Sequence, residues 1–223
     1  MALDEHLAWA RARVARLLDA GPAERVVGVI VMAADGVAAV GGRSAPLSSD
    51  RDRALLRAWR ESADALLVGP ATLAAERYGA SLVPGRMPPP PVVTVDRSGT
   101  LDLDRALRSR EPLPLVVYGR ARGDERATWV DLPSLALPAV LADVRERFGA
   151  RLVVAEPGPR LLAALLGAGV LTDLSVTVAS SVVGDGPRFV LPDLPPADVE
   201  AFAGERFAHY SVRAPRGPTA RDA

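Results

Sequence analysis

Two short stretches combine residue types that could hold a phosphorylated or otherwise polar ligand. The first is "RLVVAEPGPRLLAALLGAG", Arg151 to Gly169. An apolar run, Leu152 to Ala155, ends at one acid, Glu156, and Pro-Gly-Pro precedes a leucine-rich helical stretch. A continuous apolar run of this kind reads as a strand buried on both faces, so Glu156 stands where strand gives way to helix. The first N–H groups of a helix have no intrahelical acceptor and suit a phosphate. Pro157 and Pro159 contribute no N–H, which leaves those of Gly158, Arg160 and Leu161, while Gly158 lets a ligand come close to the backbone. Glu156 itself would accept hydrogen bonds from polar groups of the ligand. An ordinary structural role stays open beside this one: a strand-end carboxylate also caps helices or pairs with an arginine such as Arg160.

The second stretch is "VGPAT", Val68 to Thr72. A strand ending in glycine, with a small residue and a hydroxyl at the next helix start, suits a phosphate or a ribose; a glycine turn with Thr72 as a cap is the equal alternative. Between the first strand and its helix lies "MAADGVAAVGGRSAPLSSDRD", Met32 to Asp52. Loops of this length inside a compact domain are usually functional or disordered. By contrast, "VVGDGPRF" (Val182 to Phe189) contains Gly-x-Gly but opens no helix, and carries no weight as a dinucleotide fingerprint. His209, in an alternating stretch, reads as a packing residue, and Trp9, Trp59 and Trp129 as core or interface residues.

Composition narrows the chemistry. The chain has 223 residues, 49% hydrophobic and 24% charged, with 27 basic and 27 acidic side chains. A zero formal charge offers no basic footprint for a nucleic acid. The absence of cysteine excludes disulfides, thiolate nucleophiles and cysteine-ligated zinc, and two histidines, His6 and His209, argue against a metal site. No signal-type or membrane-length apolar run is present, so a cytoplasmic protein without membrane partners is expected.

The elements that would position these residues follow from periodicity. Leu3, Leu7, Ala10, Val14, Leu17 and Leu18 recur at helical spacing up to Gly21-Pro22. Buried strands are predicted at Val26–Ala33, Asp64–Gly69, Val92–Asp96, Pro114–Gly119, Arg151–Glu156 and Asp173–Ala179, with a final antiparallel strand at Arg206–Ala214. Helices are predicted from Ser48 or Ser49 to Ser62, from Pro70 to about Arg77, at Leu135–Phe148 and at Arg160–Gly167. Residues 84–91, "PGRMPPPP", must be an extended loop. Strand runs continue beyond it, so the expected organisation is an N-terminal helix over 1–22, one domain over 23–214 and a disordered tail over 215–223. Alternating strands and helices imply an α/β fold with a mostly parallel sheet and helices on both faces. Ligands in such sheets bind beyond the carboxyl ends of the strands, where Asp35, Gly69 to Thr72, Asp96 and Glu156 to Gly158 fall.

Taken in order, "VMAADGVAAV", "GRSAPLSS", "RESADALLVGPATLAAERYG", "VVTVD" and "EPGPRLLAALLGAGVLTDLSVTVASSVVGDG" resemble the reductase domain of riboflavin biosynthesis, in its stand-alone form, over roughly residues 26–190. The resemblance implies a dihydrofolate-reductase-like fold, a homodimer, NADPH as hydride donor and a ribosylamino-pyrimidine 5′-phosphate whose open-chain ribose is reduced at C1′. It places Thr72, Glu76, Gly158, Pro159, Arg160 and Leu161 at the cofactor, and Ser44, Arg60 and Glu156 at the substrate, with Glu156 beside the reacting carbon. Arg97 and Arg120, each after a predicted strand, are candidates for the cofactor's 2′-phosphate. The family's arginine for the substrate phosphate, a few residues after Tyr78-Gly79, has no counterpart nearer than Arg86. Two other readings therefore stay open: a reductase of this fold acting on another small carbonyl or imine, and a non-catalytic binding protein.

Overall fold

The computed structural model describes residues 3–76, 78, 83, 88–107, 114–120 and 123–212. The expected tail at 215–223, Arg86 and the first half of the proline-rich loop lie outside these residues. Along the chain run α1 (Leu3–Asp19), β1 (Arg25–Met32), α2 (Asp50–Ser62), β2 (Ala65–Val68), α3 (Pro70–Ala75) and β3 (Val92–Asp96). They continue with α4 (Leu103–Ala106), β4 (Leu115–Gly119), β5 (Thr128–Val130), α5 (Leu137–Phe148), β6 (Leu152–Glu156), α6 (Pro159–Gly167), β7 (Asp173–Val178), β8 (Asp198–Phe202) and β9 (Glu205–Ser211).

The strands form one nine-stranded sheet in the order β5-β4-β3-β2-β6-β1-β7-β9-β8. All pairings from β5 to β7 are parallel, and β9 is antiparallel to both β7 and β8. This is the mostly parallel α/β sheet expected from the sequence, with the antiparallel C-terminal strand in place. The apolar runs are unbroken because successive side chains enter two different cores. In β6, Leu152 and Val154 join the residues under α1 to α4, while Val153 and Ala155 join those under α5 and α6. That alternation sends the next side chain, Glu156, toward α2.

Local chemistry explains the boundaries. Ser49 caps α2, its Oγ accepting from the Asp52 N–H at 3.1 Å. Gly149 ends α5 in the left-handed region at φ 61°, where a glycine carries no Cβ penalty. Three elements escaped the periodicity argument. Strand β5 has three residues at the sheet edge, and α4 is one turn capped by Asp102, which accepts from the Arg105 N–H at 3.0 Å. Strand β8 reads "DVEAF", too acidic to signal a strand. Its acids are there for α1: Arg13 is buried against Asp198 and Glu200, and Arg16 reaches both. No helix among the described residues is long and apolar enough to cross a membrane.

Candidate functional site

Strands β2 and β6 are parallel neighbours, and their last residues, Val68 and Glu156, are paired. Helices α3 and α6 therefore start side by side at the carboxyl edge of the sheet. Each has a glycine N-cap, Gly69 or Gly158, with no side-chain cap, and each has proline in its first turn. A methyl group placed on Gly158 would have one neighbour within 4 Å, the Thr72 Oγ1 at 3.5 Å. At Gly69 the nearest atoms would be the Leu161 side chain and again Thr72 Oγ1, at 3.8 and 3.9 Å. Gly69, Thr72, Gly158 and Leu161 thus form one cradle, open toward the backbone of α6. Thr72 is the third residue of α3 and makes no cap bond, so the alternative of Thr72 as a helix cap is not the one the structure adopts. Arg160 is exposed and Pro159 half-buried at the same helix start.

Beneath the cradle lies a buried ionic cluster. Glu156 is 7% exposed and accepts from Arg60 Nε at 2.6 Å and Arg60 Nη2 at 2.7 Å, a bidentate pair. The Tyr78 hydroxyl donates to the same carboxylate at 2.7 Å. Burial opposes ionisation of Glu156, but the Arg60 guanidinium and the Tyr78 hydroxyl outweigh it and hold the carboxyl below its ordinary range. Burial and the neighbouring carboxylate both push the Tyr78 phenol well above its ordinary value, so it stays a donor. Glu156 was expected to face a ligand, or else to cap its helix or meet Arg160. The structure pairs it with Arg60 and not with Arg160, because its place in the strand points it under α2. Arg60 and Glu156, both expected at the substrate, are brought together as each other's partner. Tyr78 completes them and went unnoticed in the sequence: its partner is 78 residues away and no local pattern marks it.

Glu76 and Ser44 are also brought together. The Ser44 N–H and Oγ both donate to Glu76 Oε1, at 3.1 and 3.2 Å, and Arg43 stands 3.8 Å from the other oxygen. Glu76, expected at the cofactor, has this carboxylate turned to the long loop after β1, which it fastens to the end of α3. Two other strand-end acids support loops. Asp35 accepts from the N–H groups of Gly184, Val183 and Val37 at 2.7, 3.2 and 3.4 Å; the Gly184 bond leads in lowering its pKa. Asp96 accepts from the N–H groups of Thr100 and Leu101 at 3.0 and 3.1 Å. Arg97 and Arg120 follow neighbouring strands and are exposed; Arg97 donates to the Leu135 carbonyl at 2.9 and 3.2 Å.

A mostly parallel sheet with uncapped helix starts at its carboxyl edge is the α/β architecture in which phosphorylated ligands meet backbone donors. The sequence matches the RibD C-terminal domain family over residues 25–201, and the chain belongs to that family. No curated protein matches it. Among solved structures, it is similar to a pyrimidine reductase-like protein of Corynebacterium diphtheriae, at 19% identity over 88% of this chain and 96% of that one, TM-score 0.68. Acinetobacter baumannii RibD aligns at 20% identity over 84% of this chain and 58% of the longer one, TM-score 0.70. The riboflavin biosynthesis reductase Rib7 of Saccharomyces cerevisiae aligns at 17% identity over 85% and 90%, TM-score 0.60. At such identities the shared property is the fold.

Proposed function

We propose that this chain is an NADPH-dependent pyrimidine reductase of riboflavin biosynthesis, reducing the ribose of a ribosylamino-pyrimidine 5′-phosphate to the ribityl form. The observation that carries the reading is the cradle of Thr72, Gly69 and Gly158 at two uncapped helix starts, in a chain of the RibD C-terminal domain family. A dinucleotide diphosphate needs unused backbone donors and an approach free of side chains, and Gly158 to Leu161 meet both needs. Residues Gly158, Arg160 and Leu161 would hold the diphosphate through their N–H groups, with Pro159 fixing the first turn and Thr72 offering its hydroxyl. A dinucleotide held there would supply the hydride from its nicotinamide. Arg97 or Arg120 would reach the 2′-phosphate from the ends of β3 and β4.

Glu156 and Arg60 act on the substrate side as a positioning pair. Their buried ion pair, with the Tyr78 hydroxyl on the same carboxylate, fixes the end of β6 against α2, and the substrate would lie over that end to face the cofactor. Glu76 holds Ser44, and through it the long loop, over the same edge. The reading also includes a homodimer. The side chains of Val182, Val190 and Leu194 are exposed on the stretch leading to β8, and Val199 on that edge strand itself, apolar positions that a second copy could cover.

Fluorescence titration with NADPH and NADH, followed by turnover of the phosphorylated pyrimidine, tests the assignment. Tighter binding of NADPH and turnover are expected. Equal affinities would remove the NADPH preference, and cofactor binding without turnover would remove the substrate. Light scattering checks the dimer, and a mass near the monomer's 23.4 kDa at micromolar concentration would refute it.

A further inference from the structure

Asp52 is a buried carboxyl that the reading above leaves without a role. It lies in the first turn of α2, 5% exposed, and its side-chain partners are hydroxyls: Ser48 Oγ at 2.6 Å, and Thr177 on β7. The charged groups facing it are Glu205 at the start of β9 and Arg53, the next residue on its own helix, whose side chain is exposed. Glu205 accepts from Ser49 Oγ at 2.7 Å and interacts with Arg51. Burial leads in raising the Asp52 pKa, its two hydroxyl partners lower it, and the second acid adds to the rise. Glu156 is shifted the other way.

The two acids lie on opposite sides of β1. Ala155, just before Glu156, pairs with Gly28 on one side of that strand, and Thr177 pairs with Val31 on the other. Two strand spacings, about 10 Å, separate β6 from β7. Helix α2 spans the gap on one face of the sheet, with Asp52 in its first turn and Arg60, the Glu156 partner, in its last. One acid is held ionised by a cation. The other has hydroxyls for partners, one of them on the half-buried Ser48 just before α2.

We propose that Asp52 is the proton source of the reduction, passing its proton through the Ser48 hydroxyl to the substrate. This rests on the pyrimidine-reductase reading. Hydride from the dihydronicotinamide adds to C1′ of the open-chain C1′=N group, and the double bond becomes a single bond. The nitrogen takes a proton from Ser48 Oγ, which takes one from Asp52, and the carboxylate left behind is reprotonated from water. One imine, one dihydronicotinamide and one proton give one amine and one oxidised nicotinamide.

The test measures kcat, KM and melting temperature for the wild type, Asp52→Asn and Ser48→Ala from roughly pH 5 to 9, with NADPH and the ribosylamino-pyrimidine 5′-phosphate. Asp52→Asn should lower kcat about a hundredfold or more, from the low end of the range for a lost general acid upward, with little change in KM. The alkaline decline of kcat should vanish with it. A raised pKa in the folded protein means that stability is lost as pH rises through it. Asp52→Asn should therefore remove that loss and melt no lower than the wild type at pH 8, whereas a purely structural acid would leave the variant less stable. Ser48→Ala should lower kcat about tenfold or more and keep the alkaline decline; it decides the matter if Asp52→Asn does not fold. Normal turnover in Ser48→Ala, or an unchanged pH profile in Asp52→Asn, overturns the proposal and leaves the reductase reading standing. A wild type without turnover of this substrate overturns both.

Discussion

The two edges of the sheet use their polar residues in opposite ways. At the amino edge, polar side chains tie chain segments together. Arg25 donates to the carbonyls of Leu17, Leu18 and Pro22 at 3.0, 2.8 and 3.0 Å and so closes the end of α1. The Asp64 carboxylate accepts from the N–H groups of Arg151 and Leu152 at 2.9 and 2.8 Å. Thr172 links Val26 to Asp173, and Asp173 holds His209 Nε2 at 3.1 Å. A cavity of about 920 Å³ opens at this edge, lined by Arg25, Asp173 and His209 among others, yet most of their polar atoms already have partners. At the carboxyl edge the helix starts of α3 and α6 carry no side-chain cap, and glycine keeps the backbone bare. In the function proposed above, the chemistry lies at the helix starts of the carboxyl edge and not at this cavity.

The strongest way to break that contrast is Glu156→Gln, at a place where the carboxyl edge is as fully paired as the amino edge. Removing the charge leaves Arg60 buried without its counter-ion, which costs about 3–5 kcal/mol by analogy with other broken buried pairs. Urea or thermal unfolding should show that loss before any kinetic effect is read. The Glu156 pKa is depressed, so its stabilisation is present above the unfolded value, about 4.3, and is lost as pH falls through the folded one. The variant should therefore lack this part of the acid destabilisation. A variant as stable as the wild type would show that the pair is not what holds β6 to α2.

Smaller is the effect of His209→Ala at the amino edge. It takes a partner from buried Asp173 and removes the ring stacked on Trp59, at about 1–3 kcal/mol of stability, and should leave NADPH affinity unchanged. Gly158→Ala should do the reverse. Its φ of −74° and the 3.5 Å clearance to Thr72 admit a methyl group, so melting should not move. The methyl stands in the cofactor's approach, and the dissociation constant for NADPH should rise about tenfold, or 1.4 kcal/mol. If both variants affected the same property, the division between edges would be false.

The sequence revealed most where one residue type sufficed. Apolar runs placed the strands β1 to β4, β6 and β7, Gly21-Pro22 marked the end of α1, and Ser49, one of two candidate caps, starts α2, since a buried strand or a cap is recorded locally. Short or charged elements were hidden. Strand β8 is acidic because α1 brings arginines to it, a fact written 182 to 184 residues away. The cradle was legible for the same local reason: Gly69, Thr72 and Gly158 each sit at a strand-to-helix junction. The partnerships of Glu156 with Arg60 and Tyr78, and of Glu76 with Ser44, were not legible. Which acid turns to a ligand and which to an arginine depends on the face to which a strand's last residue points and on what crosses above it.

Thr72→Val gives the finest measure of the contrast. The substitution keeps the shape and removes one hydroxyl, which lies beside Gly158 and caps no helix. If the carboxyl edge differs from the amino edge in keeping such groups for a ligand, the folded protein alone should not miss it. Melting temperature should stay put, while NADPH affinity falls by one net hydrogen bond, about 0.5–1.5 kcal/mol. That is roughly a twofold to tenfold rise in the dissociation constant, within reach of fluorescence titration. The β-branched valine also controls for helix propensity, because threonine and valine are close on that scale. Lower stability with unchanged affinity would mean that Thr72, like the residues of the amino edge, bonds its own chain.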